Sequence, residues 1–137
     1  MSVQHLNPDG LIKNPAFSQA ISTTGAVRTI YVGGQNAIDV GRNVVGPGDI
    51  AVQTAQAVAN LRTALQAAGA DLEHLVKCTI YLVQGQPLAP AFAAWRQAWG
   101  ARGEPPTITV LFVAGLANPA FLIELDGIAA LPASDGG

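Results

Sequence analysis

Charge is scarce in this chain: seven Lys and Arg with nine Asp and Glu make up only 12% of the 137 residues, against a hydrophobic share of 50%. Globular sequences usually carry about 25% charged residues. So sparse a charge is expected of a subunit that hides part of its exterior against copies of itself, and a homo-oligomer is the default expectation. The net charge of -2 provides no basic field for capturing phosphates, which disfavours nucleic acid as a partner. Cysteine is nearly missing. The single Cys78 cannot close an internal disulfide, which agrees with a reducing compartment. With only His5 and His74 beside it, no spacing resembles a metal site, and no metal is expected. Long apolar runs are absent as well: nothing approaches the ~18 uninterrupted residues of a membrane span, and "MSVQHLNPDGLIKN" has neither the charged start nor the apolar core of a signal peptide. A cytoplasmic protein without a membrane partner is the expectation.

What the chain does have is patterned. Its length suits one domain over residues 1–137, with the tail 132–137 expected to fray. "SVQHL" reads as a first strand. "AFSQAIST" and "VRTIYVGG", separated by "TGA", read as a hairpin with a small-residue turn. A loop follows, and Asp49 ends it as a helix N-cap. From Ile50 to Ala68 the apolar positions Val58, Leu61, Leu65 and Ala68 recur at helical spacing, and Gly69 stands where the helix should stop. "HLVKCTIYLV" alternates, with Val76, Cys78, Ile80 and Leu82 on one face and Leu75, Lys77, Thr79 and Tyr81 on the other. A second helix starts near Pro90 and ends at Gly100; its Phe92, Trp95 and Trp99 form a stripe that suits a core better than a cofactor box.

The last two strands pose the functional question. "TITVLFVA" places Ile108, Val110, Phe112 and Ala114 on one face and Thr107, Thr109, Leu111 and Val113 on the other. In "FLIELDGI" the apolar Phe121, Ile123 and Leu125 oppose Leu122, Glu124, Asp126 and Ile128. If the apolar sides lie under the helices, then Thr107, Thr109, Glu124 and Asp126 share an uncovered sheet face, either wet or covered by a neighbouring subunit.

The words "VGGQ" (32–35), "NLRTALQAAGADLEHLVKCTIYL" (60–82) and "PPTITVLFVAGLANPAFLIELDGIA" (105–129) resemble the Rid, or YjgF, family of reactive-intermediate deaminases. With the first hairpin, the resemblance covers nearly the whole chain. It implies an α+β fold like that of the small chorismate mutases, a mixed six-stranded sheet with two helices on one face, assembled as a trimer with small-molecule clefts between subunits. It also implies cofactor-free hydrolysis of imines or enamines to a carbonyl compound and ammonia, with Glu124 matching the family glutamate that places the water. Other pocket positions depart from the pattern. Thr107 and Thr109 stand where deaminating members have an arginine and a cysteine, Phe17 stands for a tyrosine, Gly33 for a serine beside Gly34, and Phe92 for an asparagine. An arginine grips a carboxylate by two charged hydrogen bonds, whereas Thr107 offers one neutral bond. A less charged, more hydrophobic ligand is the expectation, or a trimer that binds without turning over. Arg28, Arg96 or Arg102 are alternative cations, and the spacing favours none of them.

Each of these residues also has a plainer reading. Glu124 alone would pass for a solvated strand carboxylate, and only the family position turns it into a catalytic candidate. Asp126 reads as an interface or solvent acid. Cys78 reads as a buried, inert thiol, lacking a neighbour that would stabilise a thiolate. Gly33 and Gly34 fit a strand bend as well as a ligand wall, and the two threonines are good strand formers. His5 and His74 read as ordinary surface residues. Ribonuclease activity, known among relatives, finds no support in the acidic balance or in a histidine pair.

Overall fold

The computed structural model of the chain describes residues 1–133. Its elements run β1 (Ser2–Leu6), β2 (Ala20–Thr24), β3 (Val27–Asn36), α1 (Ile50–Ala67), a short 3₁₀ turn (Leu72–His74), β4 (Leu75–Val83), α2 (Leu88–Trp99), β5 (Thr107–Val113) and β6 (Ile123–Pro132). This is the expected α+β arrangement, with both helices packed on a mixed sheet. The six strands do not form one sheet, however: β1 pairs with β2 in a two-stranded sheet, and β3-β6-β4-β5 form a four-stranded one. The hairpin expected between β2 and β3 is therefore not the pairing that forms. β2 runs antiparallel to β1, from Leu6 opposite Ala20 to Ser2 opposite Thr24, because the chain between them doubles back and the local turn at Gly25 redirects β3 to β6.

The helix boundaries follow their sequence signals. Asp49 accepts a hydrogen bond from the Val52 amide, satisfying one of the unpaired donors at the start of α1. Val58, Leu61 and Leu65 of α1 are buried together with Trp95 and Trp99 of α2, whose rings stack 6.0 Å apart. Beneath them lie Cys78 and Leu82 of β4 and Ile123, Leu125 and Ala129 of β6. The stripe on α2 is core at both tryptophans.

The alternation expected for β4 breaks at its start. The pairing with β6 slips between Leu75 and Lys77, so Leu75 stands opposite Ala129 while Lys77 stands opposite Ile128. This bulge turns Leu75 into the core rather than onto the Lys77 face. Gly127, opposite Cys78 and next to the bulge, is closely packed: a Cβ there would lie 2.8 Å from Leu75 Cδ2 and 3.3 Å from Leu61 Cδ1, so the two leucine ends would have to give way. The tail holds further than expected: Pro132 is still in β6, and the Ala133 amide donates to the Ala26 carbonyl. Residues 134–137 of that expected tail lie outside the described residues. His5 and His74 are more than surface residues, since His5 Nδ1 lies 2.7 Å from Ser18 Oγ and His74 Nδ1 accepts from the Asp71 amide.

Candidate functional site

Strand register fixes what meets on the face away from the helices. Residues directly opposite in paired strands point the same way, so three rows cross the sheet. Thr107, Lys77, Ile128 and Tyr31 form the first; Thr109, Thr79 and Asp126 the second; Leu111, Tyr81, Glu124 and Asn36 the third. The expected grouping of Thr107, Thr109, Glu124 and Asp126 on one uncovered face is what the backbone produces.

Above the first two rows lies a cleft of about 330 Å³, walled by Tyr31, Gly33, Gly34, Lys77, Thr79 and Asp126. The pairing of β3 with β6 slips between Val32 and Gln35, so the two glycines form an irregular step in the strand. The two glycines thus bend β3 and border the cleft. A Cβ at Gly34 would come within 2.6 Å of Glu124 Oε2, so any side chain there would displace the carboxylate. Glu124 is half-buried, with Oε1 accepting from Asn36 Nδ2 at 3.1 Å. Asn60 of α1 donates its amide to the Asn36 and Ile38 carbonyls. The carboxylate is thus positioned from the helix through the end of β3. On the loop that enters β6, the fully buried Gln53 donates to the Ala120 carbonyl and accepts from the Leu122 amide, fixing where the strand begins.

Asp126 is half-buried and lines the cleft. The Tyr81 hydroxyl donates to its Oδ2 at 3.3 Å. The negative charge of Asp126 holds the Tyr81 phenol above its ordinary pKa, because ionising the phenol would set two anions side by side. Two carboxylates at i and i+2 of one strand stand about 6.6 Å apart along the backbone, enough for a small group to approach both.

The threonines behave differently from one another. Thr107 donates its hydroxyl to the Val76 carbonyl at 2.6 Å, so its proton is spent on the bulge of β4. Thr109 is exposed and accepts from Lys77 Nζ at 3.3 Å. Lys77 is the residue that sequence reasoning passed over. Its place in the alternating β4 pattern gave its face, but its reach over Thr109 depends on the pairing of β4 with β5.

Phe17 and Phe92 are not part of this cleft in the chain. They line a separate cavity of about 450 Å³ on the helix side of the sheet, with Leu88, Trp95, Ile108 and Val110. Ser18 fixes Phe17 there, its amide and hydroxyl donating to the Pro106 and Pro105 carbonyls. The sheet separates the two phenylalanines from Glu124. The candidate arginines are also elsewhere. Arg102 bonds Glu73, Arg96 lies 5.7 Å over the Phe92 ring, and Arg28 lies near Gly69 beyond the end of α1. Cys78 is fully buried, and that burial pushes its thiol up to about 12, which makes it inert at neutral pH.

The family model described as Endoribonuclease L-PSP matches residues 11–131. The chain belongs to the Rid (YjgF) family. Its similarity to individual Rid relatives runs the length of the fold. A RutC family protein from Synechocystis is 32% identical over 117 residues, covering 85% of this chain and 86% of that one. The mouse 2-iminobutanoate/2-iminopropanoate deaminase is 33% identical over 113 residues, 72% of this chain and 82% of its own. A crystal structure of a Rid-family protein of unknown function from Yersinia pestis superposes with a TM-score of 0.85 at 30% identity, covering 96% of this chain and 100% of that one. No helix among the described residues is long and apolar enough to cross a membrane.

Proposed function

We propose that the protein hydrolyses imines or enamines of small molecules at the open-face cleft, with a sibling subunit of a trimer closing the site and no cofactor taking part. The observation that carries this reading is Asp126 in the wall of the cleft with Glu124 packed against Gly34 at its edge, two carboxylates on the sheet face opposite the helices. Relatives named as imine deaminases support the same chemistry.

In this reading the protonated C=N nitrogen lies toward Asp126, and Glu124 orients the water. Water oxygen adds to the imine carbon while a carboxylate takes its proton. The protonated carboxyl group then returns that proton to the nitrogen of the tetrahedral adduct, and as the C–N bond breaks the adduct hydroxyl gives its proton to the carboxylate, leaving ammonia and a carbonyl product. Backbone groups at Gly34 and Thr109 border the ligand. Phe17 and Phe92 join the substrate only where subunits meet, since within one chain they lie across the sheet. Without an arginine at Thr107, the hold on a substrate carboxylate is looser than a two-pronged clamp. A cytoplasmic setting belongs to the same reading.

The test is release of carbonyl product and ammonia from freshly generated imines by wild type, Glu124→Gln and Asp126→Asn. Losses of about 10²–10⁴ in kcat are expected where a positioned acid or base is removed. Release at the wild-type rate by both variants would overturn the assignment. A second reading, a trimer that binds ligands without turnover, is favoured by the Thr107 hydroxyl being committed to Val76. Metabolites that raise the melting temperature yet emerge unchanged would select it.

A further inference from the structure

One cation stands apart from the others in this chain. Lys13 pairs with Asp9, Arg62 with Asp71, and Arg102 with Asp71 and Glu73. Arg96 covers Phe92, Arg28 lies near Gly69 past α1, and Arg42 sits in the loop before that helix. Lys77 alone lines the open-face cleft, and no carboxylate among the described residues lies within ion-pair distance of it. Its ammonium is held over the sheet by a single bond to Thr109 Oγ1 at 3.3 Å. Lys77 stands directly opposite Thr107 in one direction and Ile128 in the other, one row from Asp126.

This makes the cleft electrically two-ended. Asp126, backed by the Tyr81 hydroxyl, marks a negative end, and Lys77 a positive end. Within the chain each charge has one neutral partner, Thr109 for Lys77 and Tyr81 for Asp126, so a neutral apolar ligand would take water from both and gain from neither. A ligand with a cationic nitrogen at one end and an anionic group at the other would satisfy both. Thr107 is short and turned to the Val76 carbonyl, so it leaves the space over the row to the lysine.

We propose that Lys77 is the residue that sets charge preference at this cleft, binding the anionic group of a small imine whose protonated nitrogen faces Asp126. The proposal rests on the open-face reading of the site. An ammonium is a point charge on a flexible stem and cannot impose the planar, two-pronged geometry of a guanidinium. The ligand's charge is therefore selected while the orientation of its anionic group is left free, so carboxylates of differing placement are accepted and binding weakens with added salt.

Two measurements test this with different failure modes. In the first, calorimetric affinity for a short 2-oxo acid, the carbonyl product of an anionic imine, is compared in wild type, Lys77→Gln and Lys77→Arg. Lys77→Gln should weaken binding roughly ten- to hundredfold, as loss of a hydrogen bond to a charged group does, and Lys77→Arg should restore most of it. The neutral amide of the same acid should bind all three proteins alike. In the second, kcat/KM is measured for an anionic imine and its neutral amide analogue. Lys77→Gln should raise KM for the anionic substrate and leave the neutral one unchanged. Equal effects on anionic and neutral ligands, or wild-type affinity for the 2-oxo acid in Lys77→Gln, would overturn the role of Lys77. Lys77-dependent binding of the 2-oxo acid without hydrolysis of any imine would uphold Lys77 and defeat the deaminase reading. Lys77 is exposed, so an unchanged melting temperature confirms that its variants fold.

Discussion

The two faces of the four-stranded sheet are made from the same strands, residue by residue, yet they obey different rules. On the helix side, Leu82, Ile123, Leu125 and Ala129 are almost completely buried and meet Leu61, Leu65 and Trp95. On the other side the same β4 and β6 present Lys77, Thr79, Tyr81, Glu124 and Asp126, none of them fully buried. One face spends its side chains on stability and the other keeps polar groups where a ligand can reach them. The strand alternation is what lets both be written into a single stretch such as "IELDGIA".

The sharpest way to break this contrast is to truncate the covered face. Leu61→Ala should cost about 2–5 kcal/mol of unfolding free energy in denaturant titrations, from lost burial and the cavity left behind. Glu124→Gln and Asp126→Asn, one layer away, should shift stability by less than about 0.5 kcal/mol while lowering imine hydrolysis. Comparable stability losses on both faces would show that the open face is structural. Next comes Gly127→Ala, whose methyl group would press on Leu75 and Leu61 and should cost about 1–3 kcal/mol; melting at wild-type temperature would mean the bulge relaxes freely. Cys78 offers a chemical version of the same test. Buried, with its thiol pushed up to about 12, it should resist alkylation at pH 8 in the folded protein and react promptly in denaturant. The smallest effect belongs to the rim. Arg62 holds the Asp71 carboxyl below its ordinary value of 3.8. A depressed carboxylate contributes stability above its unfolded-state value and loses it as pH falls through the folded-state value. Asp71→Asn should therefore cost under about 1 kcal/mol at neutral pH, an exposed pair's usual worth, and nothing in strong acid.

How much of this could be read from the chain follows the range of the interactions involved. Asp49, the run from Val58 to Leu65 and the alternation through Glu124 and Asp126 are local patterns, and each lands where its period places it. The partner of β2 depends on a strand fourteen residues upstream of it, counted from Leu6 to Ala20, and the nearby "TGA" turn pointed to β3 instead. The bulge that buries Leu75 is a property of two strands at once, invisible in the alternation of either. Within the site, alternation gave the two acids their face, and the family words gave Glu124 its expected role beside the paired glycines. They also grouped Phe17 and Phe92 with those acids, although a single subunit keeps them on opposite sides of the sheet. Lys77 was legible as a strand residue, but its reach over Thr109 arises from parallel pairing with β5.

β5 lies at the margin of the sheet, bonded along only one side to β4, and carries Val110, Leu111 and Phe112 at 38%, 45% and 50% exposure. An open backbone ladder flanked by such side chains is adhesive toward any extended segment it encounters. That margin is thus the part of the fold with which an unfolded neighbour would pair first. The yield of usable protein should therefore depend on how that margin is shielded as well as on the stability of each finished fold.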